Sequence, residues 1–434
     1  MNAEPGPALP APAIGERVFW VLTGLAVALG VLGGFAGLVF LRLVTIGSDW
    51  YTAASPGWFG GHWWWVLVTT AAGVVVGMLR RLTRLPEDVP GLVEDLRAGY
   101  VDPVLVPGTV AVSLASLIAG ASVGPEKVLA SIGGGTGGWM ARRRHLTGEN
   151  SQVNTLAGIA GIYGGLFSSP VIVVMLVLEL ARPGGRRFSK VLVANIVAAS
   201  VSFGIYFAIA GAVFLGVYRV PPYTFENWQL LAAVPLGLFA AVITTFTTGV
   251  IAMVSRSFER LHLPAVARCA IGGAAFGAVG VALPLTMFSG GDQLASLLTG
   301  AGSLGLGLCV AVLVAKAVTV AVSRATGFLG GPIFPAIFIG GTAGVVVHLA
   351  WPEIPLGLAF GCLLPAVLGT LVAAPFAMVL LAAFMTQVGP LQTPPILISV
   401  VSAYLAVEAL RHVGVAVAAR EPDKADRGTR RQRL

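Results

Sequence analysis

Apolar and polar positions along this chain come in long blocks, not in the residue-by-residue alternation of a half-buried strand. A first apolar block runs from Val18 to Val44, and a second ends near Met78 after a tryptophan-rich stretch (Trp58, Trp63, Trp64, Trp65). Blocks of this kind approach the roughly 20 residues a helix needs to cross a bilayer, and tryptophans at their ends suit the membrane interface. Pro86 to Tyr100 is charged and predicts a short helical piece; Leu105 to Ala119 is apolar but too short to span. Gly120-Ala-Ser-Val-Gly-Pro125 then breaks the chain and restarts it. The polar stretch 217–228, with Pro221 and Pro222, separates this half from the next. The second half follows the same plan: an apolar block from Leu230 to Val254, basic Arg256 to Arg268, and a break at Thr326-Gly-Phe-Leu-Gly-Gly-Pro-Ile-Phe-Pro335. Apolar pieces end near Val413.

Two segments show that the halves are duplicates. GLFSSPVIVVMLVLELARP (Gly165 to Pro183) and LVAAPFAMVLLAAFMTQ (Leu371 to Gln387) each place a small-small-Pro step before an apolar helix, about 205 residues apart. Gly/Pro-interrupted segments at matching positions of duplicated halves point to a transport site near the bilayer midplane. Pro125 and Pro335 are expected at corresponding places in the two breaks. The predicted architecture is an all-α polytopic membrane protein with an inverted repeat, 17–216 and 229–413. It is flanked by an N-terminus (1–16) and a basic tail (414–434), both expected to be disordered and cytoplasmic.

Composition narrows the class further. Of 434 residues, 56% are hydrophobic and 11% charged. The net charge of +8 is clustered at Arg80, Arg81 and Arg84, at Arg142 to Arg144, at Arg182, Arg186, Arg187 and Lys190, and in the tail. Beside apolar spans, such clusters mark the cytoplasmic side and not a nucleic-acid surface. The location expected is therefore the cell's inner or plasma membrane. Met1 to Gly15 lacks a basic region followed by an apolar one, so no cleavable signal peptide is expected. Cys269, Cys309 and Cys362 are isolated and suggest neither a disulfide framework nor a metal site. Gly133-Gly-Gly-Thr-Gly-Gly138 is expected to serve helix packing, since no Gly-Lys-Ser/Thr follows. With no nucleophile–base pair, metal cluster or cofactor loop, enzymatic activity and a cofactor are not expected.

A helix that begins inside the membrane exposes unpaired N–H groups and the positive end of its dipole. In hydrocarbon those donors must meet a cavity or a ligand. Two such starts converging from opposite halves would bind an anion without a full positive charge, which leaves it free to depart.

At these motifs the chain resembles the CLC family of chloride channels and chloride/proton antiporters, over about Arg17 to Val413. LFSSPVIVVMLVLELARP resembles the family's FNAP…EEMRP helix, Lys316 to Pro335 its GGIFAP region, and Leu283 to Gln293 a segment between them. The resemblance implies a homodimer with one pore per subunit and helix N-termini aimed at chloride or another small anion. Ser122, Val123 and Gly124 would border the outer site, with Ile333 and Phe334 facing it from the other half.

The departures are as informative. Val123 stands where the family has its gating, proton-relaying glutamate, and Leu180 where antiporters have the inner proton acceptor. Neither side chain can carry a proton, so passive, uncoupled anion conduction is the expected function. Glu126 is either an acid in a helix first turn or a displaced gate. Glu179 is either a functional acid or a partner of Arg182. Pro86-Glu87-Asp88-Val89-Pro90 falls where the family has Gly-Ser-Gly-Ile-Pro, which puts Glu87 at the serine that meets the inner anion and Asp88 next to it on the expected anion pathway. Glu87 there would repel an anion or act as a gate; alternatively Pro86 to Asp88 is a solvated helix start with capping acids. Two other functions stay open: proton-coupled chloride or fluoride transport through Glu126 or Glu179, and a membrane scaffold or sensor that has lost transport.

Overall fold

The computed structural model describes residues 17–53 and 63–431; the expected disordered N-terminus, Trp58 and residues 432–434 lie outside them. The described residues hold fifteen α-helices, and eight helices are long and apolar enough to cross a membrane. They run α1 (Arg17–Ala53), α2 (Trp65–Leu82), α3 (Leu92–Ala98), α4 (Val106–Ile118), α5 (Glu126–Arg143), α6 (Gly148–Leu166), α7 (Pro170–Ala181) and α8 (Gly185–Ala210). After a non-helical stretch over 211–227 come α9 (Trp228–Arg260), α10 (Ala265–Ala282), α11 (Gly291–Ala325), α12 (Ile333–Ala350), α13 (Leu356–Val372), α14 (Pro375–Thr386) and α15 (Thr393–Arg431). Thus α15 continues as helix into the basic tail.

The repeat is visible once α11 is divided at Gly305, whose φ of +73° breaks the helix into 291–304 and 306–325. Eight pieces then stand in each half, and their packing is echoed pair by pair. α1 packs on α6 and α8 as α9 packs on α13 and α15. α5 lies on α6 as α12 lies on α13, and α6 on α8 as α13 on α15. Equivalent helices meet each other across the halves, α2 against α10 and α7 against α14, as a pseudo-twofold axis requires. At the first seam a Cβ on Gly73 would strike the Cys269 carbonyl, and one on Gly273 the Thr69 carbonyl. The backbones touch there because neither residue has a side chain.

α7 and α14 repeat down to backbone detail. Each has 12 residues, about 18 Å of helix. Each starts at a proline two residues after a positive-φ residue, Ser168 (+51°) or Ala373 (+59°), and ends on a left-handed cap, Arg182 (+44°) or Gln387 (+52°). Both are too short to span. One detail departs from expectation. α12 is preceded by Pro332, not Pro335, so the proline equivalent to Pro125 is Pro332; Pro335 lies inside the first turn, where a missing N–H costs nothing.

Candidate functional site

The two breaks meet and pair. Gly124 N–H donates to the Gly331 carbonyl at 2.8 Å, and Gly331 N–H returns a bond to Gly124 at 2.7 Å, an isolated antiparallel bridge between the halves. Further bonds tie the same segments: Ser122 N–H to Ser323 Oγ at 3.1 Å, Leu329 N–H to Ser116 Oγ at 3.1 Å, and Phe288 N–H to the Gly120 carbonyl at 2.9 Å. The junction brings the N-termini of α5 and α12 to one point. Ser122, Val123 and Ile333 are at most 1% exposed.

The occupant of that point is Glu126, the first residue of α5 and wholly buried. Its Oε1 accepts the Ile333 N–H, 207 residues away, at the first turn of α12. The N–H groups of Glu126 itself and of Phe334 also favour the carboxylate. Oε2 has no hydrogen-bond partner. A Cβ on Gly124 or Gly331 would overlap this carboxylate, so the two glycines leave the space it fills. Tyr163, on α6 and also fully buried, donates its hydroxyl to the Glu126 backbone carbonyl at 2.6 Å. Tyr163, Phe167, Phe214 and Phe334 form a continuous edge-to-face series beside it, with centroids 5.2, 6.0 and 5.4 Å apart. The carboxylate therefore sits on a helix N-terminus as a bound anion would. It does so incompletely, since one buried oxygen is left unsatisfied.

The donors expected to face a free anion are otherwise engaged. Ser122 N–H goes to Ser323, Val123 N–H to the Ala121 carbonyl at 2.9 Å, and Gly124 N–H to Gly331. Those three amides therefore do not line an open site, because the segment curls back on itself and on the other half. Val123 is apolar and 1% exposed, and Leu180 is 2% exposed.

Glu179 is a cross-repeat cap. Its two oxygens accept the Phe376 and Ala377 N–H groups, at 2.9 and 2.8 Å, at the start of α14. Arg182 bonds only the Glu179 backbone carbonyl, at 3.4 Å, so the expected side-chain pairing with Arg182 is replaced by the cap. The acids of 86–90 do not cap a helix either. α3 starts later, with Gly91 at its N-cap and its N–H bonded to Glu94 at 2.6 Å. Glu87 and Asp88 are exposed, and the Glu87 side chain, 72% exposed, meets Arg268 at 3.3 Å. Arg80 fixes this turn against the second break: its guanidinium donates to the carbonyls of Gly327 (3.0 Å), Pro86 (2.6 Å) and Glu87 (3.1 Å).

Several residues of the site went unmarked in the sequence. Lys316 is fully buried and donates to the carbonyls of Thr286 (3.0 Å), Met287 (3.4 Å) and Phe288 (2.9 Å), with its ammonium 4.8 Å from the Phe338 ring. Lys127, next to Glu126, makes a buried 2.5 Å ion pair with Asp95 of α3. A lysine inside an apolar run was the available signal in the first case. Tyr163 and Ser323 carried none, because only the tertiary fold sets them on the breaks.

Comparison with known proteins agrees with this geometry. The family model for the voltage gated chloride channel matches residues 85–408. “Putative ion-transport protein YfeO” of Salmonella choleraesuis (strain SC-B67) is 27% identical over 297 residues, covering 67% of this chain and 70% of that protein. Among solved structures, a slow cyanobacterial Cl-/H+ antiporter superposes with a TM-score of 0.77 at 19% identity, covering 90% of this chain and 94% of the other. A CLC-type fluoride/proton antiporter gives 0.73 at 19% identity, covering 89% and 95%. These likenesses show a shared fold. With a family match over most of its length, two paired breaks and an acid seated on a helix N-terminus, the chain belongs to the voltage-gated chloride channel family.

Proposed function

We propose that this protein conducts small inorganic anions, chloride foremost, passively and without obligatory proton exchange, and that Glu126 gates it. The carrying observation is the Glu126 carboxylate at the first turn of α12, bonded to the Ile333 N–H. An anion entering from either side competes with that carboxylate for the α12 amides. A negatively charged side chain holds the seat closed; a protonated or displaced one leaves it to the ion. The two positions that would pass protons through the protein carry Val123 and Leu180, both buried and without a titratable group. Glu179 is committed to α14. One pore per subunit of a homodimer, with both termini on the arginine-rich cytoplasmic side, completes the proposal.

A second reading is favoured by one observation: Glu126 is itself titratable and stands at the centre of the junction. If it shuttled protons while exchanging with the anion, the protein would be a proton-coupled chloride or fluoride transporter. Vesicles loaded with chloride, with potassium and valinomycin balancing charge, separate the readings. Passive conduction releases chloride with no accompanying change of external pH. Coupled transport moves protons in fixed ratio to chloride. Release no faster than from empty vesicles overturns both, leaving a scaffold or sensor.

A further inference from the structure

Glu126 is held at two places. Its carboxylate reaches Ile333 across the halves, while its backbone carbonyl accepts the Tyr163 hydroxyl at 2.6 Å. Tyr163 is fully buried on α6, whose backbone touches that of α5: a Cβ on Gly133 would strike the Gly158 carbonyl, and one on Gly158 the Gly133 carbonyl. Asn154 of α6 adds a 2.7 Å bond to the Gly137 carbonyl of α5. The phenol is thus mounted on a helix with little freedom to shift against α5. From Tyr163 the rings of Phe167, Phe214 and Phe334 lead edge to face to the first turn of α12, where the Phe334 N–H favours the same carboxylate. These contacts close a circuit that begins at the Glu126 backbone and ends at its side chain.

The duplicated fold supplies a control. Pro170 and Pro375 lie 205 residues apart (375 − 170), and the same step from Tyr163 leads to Leu368, equally buried on α13. At the breaks, Pro125 and Pro332 lie 207 residues apart (332 − 125), and the same step from Glu126 leads to Ile333. The half that starts its inner helix with an acid carries the phenol; the half that starts it with isoleucine carries leucine. A tyrosine that only filled space would not need to accompany the acid.

We propose that Tyr163 is a positioning residue for the gate: its hydroxyl holds the Glu126 backbone in place, so that the carboxylate meets the α12 amides already ordered. The inference rests on the reading of Glu126 as a gate that competes with the anion. The first residue of a helix frays, and a carboxylate on a frayed turn loses part of its bond strength to the ordering of its own backbone. Tyr163 supplies that order in advance, as preorganisation does for any ligand. The displaced side chain makes no such demand, so the hydroxyl favours the seated state.

The experiment measures chloride binding by calorimetry and chloride efflux from vesicles on the same purified full-length proteins: wild type, Tyr163→Phe, Glu126→Ala and the Glu126→Ala/Tyr163→Phe pair. Tyr163→Phe removes one neutral hydrogen bond and should lower both the chloride dissociation constant and the half-saturating chloride about two- to fivefold, with maximal efflux altered less. In the Glu126→Ala background, where no carboxylate competes, the same substitution should shift neither. Melting temperature checks folding, and Tyr163→Met, which fills the space flexibly without a hydroxyl, is the second probe. Unchanged chloride affinity in both hydroxyl-free variants, or an equal shift with and without Glu126, overturns the positioning role. Half-saturation lowered by Glu126→Ala but untouched by Tyr163→Phe overturns it too, and leaves the gate standing. Affinity that shifts only where Glu126 is present, while wild type passes no chloride, overturns conduction and leaves the positioning role standing. No saturable chloride binding in any of these proteins overturns both.

Discussion

Replacing Glu126 with glutamine keeps the side chain's shape and removes the charge that holds it against α12. In the wild type, Oε1 accepts the Ile333 N–H in a buried, charge-assisted bond, with two further amides helping. A hydrogen bond to a charged group is worth about 1.5–3 kcal/mol and a neutral one about 0.5–1.5 kcal/mol. On the Ile333 bond alone, the exchange weakens the side chain by about 1–1.5 kcal/mol in its competition with an incoming anion, up to about tenfold, with relief of the buried charge acting in the opposite direction. Oε2 limits the effect to this size, since it has no partner to lose. The expected outcome is up to about tenfold faster chloride efflux from vesicles at neutral pH. A protonated glutamic acid is neutral like glutamine, so acid brings wild-type efflux toward the variant's rate, while the variant stays flat. Folding is checked by melting temperature, with Glu126→Ala as a second probe. Variants that fold as wild type, conduct at its rate and keep its pH dependence would refute the gate.

Three other substitutions test individual contacts. Glu179→Gln weakens a cap on two α14 amides and should cost about 0.5–2 kcal/mol of stability, read as a lower melting temperature, with the reversal potential unchanged; an altered reversal potential would place Glu179 in the proton chemistry. Asp95→Asn leaves the Lys127 ammonium buried without its counter-charge and should destabilise by about 3–5 kcal/mol, whereas replacing both residues by leucine and methionine should recover much of the loss. A mild effect of the single change would mean that water reaches the pair. Glu87→Ser removes an exposed charge that already faces Arg268. It should raise flux by less than about twofold, only at low ionic strength; an increase that survives high salt would put this carboxylate in the pore.

The scaffold was legible because it is written in features with little alternative meaning. Apolar blocks can only be spans or partial spans, and SSP and AAP at matching distances gave the repeat, including helices too short to cross. The site was less so, for physical reasons. The second break contains two prolines, Pro332 and Pro335, and spacing alone could not tell which one faces Pro125. Sequence placed Glu126 in a first turn, which is correct, but its partner lies 207 residues away and is fixed by the glycine bridge at 124 and 331. The amides of Ser122 to Gly124 looked like free donors because a broken helix ordinarily leaves them so. The fold instead uses each one internally. Glu87 looked like a pore residue by its place in a short motif, whereas the turn carries its side chain out to Arg268.

The most direct test of uncoupled conduction is the reversal potential of the purified protein in planar bilayers, under a chloride gradient opposed by a pH gradient. A potential fixed by chloride alone, unmoved when the pH gradient is reversed, is the predicted result, even while acid changes the size of the current through Glu126. A potential displaced in proportion to the pH gradient would show that protons cross with the anion, and would contradict the account.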